Sequence, residues 1–153
     1  MNIEIIRTII LSVLPISELR GAIPYALSHG LNPFLAFALG VIFNSLIMFP
    51  VFLFLDYFHG FFMQFNTYKK LFVKYIGRSR KKLEKHIGTN FEFWAILFLV
   101  GIPLPFTGAY TGSILSWFFG LERKKTFLAI FLGVTLAGIV VTLISLGVIN
   151  FFN

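Results

Sequence analysis

The sequence contains no cysteine. Disulfide staples, thiolate metal sites and cysteine nucleophiles are therefore excluded together. Charge is also scarce: charged residues make up 12% of the 153 positions, against about a quarter in an average globular protein. Acidic residues number only 6 against 13 Lys and Arg, a net charge of +7. No H-E-x-x-H, P-loop or G-x-S-x-G pattern occurs, and His29, His59 and His86 lie far apart without metal-ligand spacing. The chain is thus not expected to be an enzyme or to hold a metal or cofactor. What fills it instead is apolar: 58% hydrophobic residues, 21 of them Phe, and a mean hydropathy of +0.88. A soluble domain of this size cannot hide so much apolar surface, and a disordered chain would be poor in aromatics. The composition points to a multi-pass integral protein of the cell membrane. Glu4 and Arg7 interrupt the start, and no A-x-A site follows the first apolar run, so a cleavable signal is not expected.

A spanning helix needs about 20 apolar residues. Residues 34–55 and 126–149 meet that length. Two other blocks, 3–29 and 93–121, are long enough but broken in the middle. In the first, Pro15 and Pro24 bracket ISELRGAI; in the second, Pro103 and Pro105 precede FTGAYTG. Proline removes a helical hydrogen bond and clashes with the preceding turn, and non-helical backbone at membrane depth is tolerated only against protein or a wet cavity. Both blocks are expected to be re-entrant helical hairpins shaped by Pro15, Gly21, Pro24, Pro103, Pro105, Gly108 and Gly112. Ala22, Ala26 and Gly30 recur every four residues, as do Gly108, Gly112, Ser116 and Gly120, a spacing that lets helices approach closely in lipid.

Charge placement bears on the topology. Eight basic residues lie between Lys69 and Lys85, and Arg123, Lys124 and Lys125 follow the second broken block. If both blocks dip in and return, these clusters share one face, which the positive-inside rule makes cytoplasmic. An internal repeat agrees. FLAFALGV (34–41) matches FLAIFLGV (127–134), while Pro15, Gly30 and Leu31 match Pro105, Gly120 and Leu121 at an offset of 90. The expected fold is an all-α membrane domain, an inverted repeat of two units, each a re-entrant hairpin plus a transmembrane helix. Its parts are a first repeat over 1–57, a cytoplasmic amphipathic segment over 58–92 and a second repeat over 93–153. Lys69, Lys70, Lys74 and Arg78 alternate with aromatics at helical spacing and are expected to lie on anionic lipid, not on nucleic acid.

Glu18 and Arg20 are the charged residues in the middle of an apolar block, where an ionisable group usually faces a cavity or a partner. A buried carboxyl is suited to carry a proton, and a guanidinium suits a phosphate. A structural ion pair is the competing reading. Thr107, Tyr110 and Thr111 offer hydroxyls from the second loop, either to an anion or to freed backbone carbonyls, and Asn44 within a span offers an amide either to the cavity or to a neighbouring helix. These six residues form the expected substrate and proton pathway.

With ISELRGAIP (16–24), PLPFTGAYTG (103–112) and two broken halves, the chain resembles the small multi-drug export family over nearly its whole length. That family is similar in architecture to the DedA/VTT superfamily, whose members have two facing re-entrant loops and are implicated in moving phospholipids or polyprenyl-phosphate carriers. The resemblance implies Glu18 as the acidic residue of the first loop. The second loop departs from the superfamily pattern in having no Arg between Pro103 and Gly112, which leaves the phosphate role to Arg20. The leading expectation is a transporter of an anionic amphiphile or small solute, proton-coupled at Glu18 and working as a homodimer. A drug/proton antiporter and a non-transporting membrane scaffold are the alternatives.

Overall fold

The computed structural model describes residues 2–66, 70, 90–103 and 107–152. Its elements are α1 (Asn2–Val13), α2 (Glu18–Ser28), α3 (Pro33–Leu46), α4 (Met48–Phe62), α5 (Asn90–Gly101), α6 (Ala109–Phe119) and α7 (Arg123–Phe152), with no strand among the described residues.

Local chemistry sets the helix ends. Pro15 lies in the turn that closes α1. The Asn32 side chain accepts hydrogen bonds from the Phe34 and Leu35 amides at 2.9 and 3.4 Å, and Pro33 opens α3 at a position that needs no amide. The helices α2 and α6 stop by one device. Gly30 and Gly120 have φ of +76° and +68°, where a side chain would be strained. Around them, the Leu31 amide donates to Ala26 O at 3.0 Å and the Leu121 amide to Ser116 O at 2.9 Å.

The two long apolar stretches are helical as expected. Pro33–Phe62, carried by α3 and α4 across Ile47, and Arg123–Ile149 of α7 are long and apolar enough to cross a membrane. Both broken blocks are broken in the structure. The first divides between α1 and α2 at 14–17; in the second, α5 ends at Gly101 and α6 begins at Ala109. Arm lengths repeat, 12 and 11 residues in the first half and 12 and 11 in the second, and a long helix follows each pair. Residues 58–62 continue α4. Most of the expected amphipathic segment, with Lys69, Lys74 and Arg78, lies outside the described residues; Lys70 is exposed.

Each arm packs against its partner arm and against a long helix: α1 on α2 and α3, α5 on α6 and α7. The arm α2 also meets α7, and α6 meets α4, so the halves interlock. Glycines set the closest approaches. A Cβ on Gly133 of α7 would stand 2.8 Å from the Leu97 carbonyl of α5, and one on Gly40 of α3 would stand 2.9 Å from Ile23 of α2. The interior is small and branched, with Ala22, Ile23, Ala36, Ala129, Ile130 and Val134 fully or almost fully buried. Large apolar groups such as Phe34, Leu53, Phe98 and Leu143 point outward instead. Such an outside suits lipid and not water, and the protein is a membrane protein.

Candidate functional site

The two helix breaks face one another, and side chains from each bind the backbone of the other. The C-terminal end of α1 leaves carbonyls without helical partners. The Tyr110 hydroxyl donates to the Val13 carbonyl at 2.6 Å, and the Asn44 amide, fully buried on α3, donates to the Ser12 carbonyl at 2.9 Å. Asn44 therefore braces the first break from behind and does not line the space between the breaks.

Glu18 begins α2 with φ of +48°, the left-handed region that costs a non-glycine residue of order 1–3 kcal/mol. It is only 8% exposed. Its carboxylate lies where a side chain on Gly108 would be, and the Tyr110 amide at the start of α6 donates to Oε1 at 3.4 Å. A helix N-terminus, with free amides and a positive dipole end, favours an anion. Gly108 thus does more than shape a loop: it provides the room that Glu18 occupies.

Arg20, in the first turn of α2, reaches the same loop. Its guanidinium donates to the Thr107 carbonyl and, at 3.2 Å, to the Thr107 hydroxyl, which itself donates to the Ile102 carbonyl at 2.9 Å. Glu18 and Arg20 accordingly serve separate partners across the gap, as their spacing of two residues requires. Pro24 lies inside α2 and deprives the Arg20 carbonyl of its helical amide.

Between the breaks is a cavity of about 520 Å³ lined by Pro15, Ile16, Ser17, Glu18, Arg20, Pro103, Thr107, Tyr110 and Thr111. Five of the six expected pathway residues meet there, the exception being Asn44. Pro105 lies outside the described residues. Gly21 and Gly112 act at one remove. A Cβ on Gly21 would strike the Ser17 hydroxyl, and one on Gly112 would stand 2.6 Å from Val100. Sequence reasoning missed Ser17, whose Oγ is buried without a hydrogen-bond partner among the described residues. A serine in the turn beside Glu18 was the available signal. It also missed Asp56. Asp56 accepts hydrogen bonds from Trp117 at 2.7 Å and Arg123 at 2.8 Å, tying α4 to α6 and α7. Separations of 61 and 67 residues carry no local signature.

No curated protein and no solved structure matched the chain. One family model did, that of the "Putative small multi-drug export protein", and it covers residues 18–140. The match begins at Glu18 and takes in both sides of the cavity. With well over half of the chain matched, this protein belongs to the small multi-drug export protein family.

Proposed function

We propose that the protein is a transporter whose pathway runs through the cavity between the two helix breaks. One observation carries this reading: Glu18 and Arg20, the charged residues in the middle of an apolar block, both reach the opposite break around a space of about 520 Å³. Cavities of roughly 300–1,000 Å³ hold small ligands. Arg20 and the hydroxyls of Ser17, Thr107 and Thr111 suit an anionic group, while Pro15, Ile16 and Pro103 suit a hydrocarbon portion. The substrate class is an anionic amphiphile, of phospholipid or polyprenyl-phosphate type, or a small anionic solute. Glu18 carries the coupled proton. In this reading the four short arms are re-entrant, the two long helices cross, and the halves form an inverted repeat with the site at their junction. Residues 69–85 and 123–125 face the cytoplasm. Two spans are little material for a sealed route, so the working unit is a homodimer.

The experiment is flux in proteoliposomes with Glu18→Gln. Transport is expected to be lost while the purified protein keeps its elution profile. Unchanged flux would remove the mechanism; no flux from the wild type either would favour a scaffold that is indifferent to Glu18 and Arg20. A second reading, drug/proton antiport, is favoured by the export activity in the family's description. It requires Glu18 to exchange a proton for a cation, so adding a cationic drug must release protons.

A further inference from the structure

We infer that the Glu18 carboxylate is a built-in plug: it occupies the cavity's own anion position, and a substrate anion enters only as Glu18 takes a proton and leaves. This inference deepens the proposed function and rests on it.

Four observations combine. First, the position is that of an anion, at the start of α6, with the Tyr110 amide directed at Oε1. Second, the carboxylate fits by filling the space of the absent side chain at Gly108, so no further ligand can share that space with it. Third, the fit is costly and weakly fastened. Glu18 sits at φ +48°, and its hydrogen bond to the Tyr110 amide is long at 3.4 Å. A residue in a disfavoured backbone region stays there only while its surroundings hold it, so leaving relieves the strain. Fourth, other polar side chains line the same cavity. Arg20, Thr107 and Thr111 all contribute to its lining, with Ser17 in the turn before Glu18. The other titratable groups lining the cavity are Arg20 on the same helix and Tyr110 on α6. Glu18 is therefore the carboxyl group of this cavity among the described residues, and the group there that can pass between a charged and a neutral carboxyl form.

The consequence is a sign. A carboxylate that an anion displaces must be neutralised, so anion binding takes up a proton. The opposite sign, proton release, belongs to a cation that pairs with the carboxylate.

The test is binding to the full chain in a weakly buffered non-ionic detergent, with hexanesulfonate as an anionic amphiphile and inorganic sulfate as a small anion. Neither probe exchanges a proton near neutral pH. The wild type is expected to take up protons as it binds, and affinity should rise as pH falls. Glu18→Gln should bind roughly tenfold tighter at pH 7.5, because a neutral amide holds the α6 terminus less strongly than a charge does. That variant should show no proton uptake and a flat pH dependence. Uptake with hexanesulfonate alone assigns an amphiphile; uptake with sulfate as well assigns a small anion. Arg20→Gln separates the two levels of the argument. If it weakens binding while Glu18→Gln changes nothing, the anion site stands and the plug falls. If neither the wild type nor Glu18→Gln binds either probe, both fall.

Discussion

At the scale of single residues, the fit of Glu18 against Gly108 is the feature most open to a mutation. Gly108→Ala places a Cβ inside the Glu18 carboxylate, which must move aside. Displacing it breaks the contact with the Tyr110 amide. The expected cost is about 1–3 kcal/mol in stability, with transport down at least tenfold. Adding Glu18→Asp to Gly108→Ala withdraws the carboxylate by one methylene and should restore part of the lost melting temperature. A melting temperature unaffected by Gly108→Ala would mean that the carboxylate does not reside there. Asn44 presents a different case, since it braces the break without touching the cavity. Asn44→Leu leaves the Ser12 carbonyl buried without its donor, again about 1–3 kcal/mol. Thermal melting in detergent should show the loss, while substrate affinity per folded molecule stays close to that of the wild type.

Among the elements, the closest approach is that of α5 to α7. Gly133 lies against the Leu97 carbonyl and Val100, with contacts to an added Cβ of 2.8 and 2.9 Å. Backbone cannot retreat as a flexible side chain does, so Gly133→Val must push the helices apart. A loss of roughly 1–3 kcal/mol is expected. Gly147, further along α7, has nothing within 4 Å of an added Cβ, and Gly147→Ala should be neutral or slightly stabilising. Equal melting temperatures for Gly133→Val and Gly147→Ala would show that α5 and α7 do not meet at Gly133. Elements were largely legible in the sequence because their signals are local. Prolines at 15 and 103 marked the breaks, and the paired glycines at 30 and 120 marked the ends of α2 and α6. Partners across the fold were not legible. Nothing near Glu18 names Gly108, nothing near Tyr110 names the Val13 carbonyl, and nothing near Asp56 names Trp117. Those pairings follow from packing between arms separated by some 60 to 100 residues.

For the molecule as a whole, the proposed topology turns on whether each pair of short arms folds back or runs on. An arm of 11 or 12 residues is about 17 Å long, half of the roughly 30 Å hydrocarbon core. Two such arms end to end would cross once; two arms side by side would enter and return. The packing of α1 along α2 supports return in the first half, because successive collinear helices meet only at the joint. The alternatives place charge differently. Return puts the basic run 69–85 and residues 123–125 on one face, whereas crossing puts them on opposite faces. The chain's lack of cysteine makes the distinction measurable without a background to remove. Arg80→Cys and Lys124→Cys, made singly, should both react with a membrane-impermeant maleimide in inside-out vesicles and resist it in intact cells. Labelling of the two from opposite sides would overturn the re-entrant arrangement. The inverted repeat would go with it, because one crossing per half is what turns the second copy over.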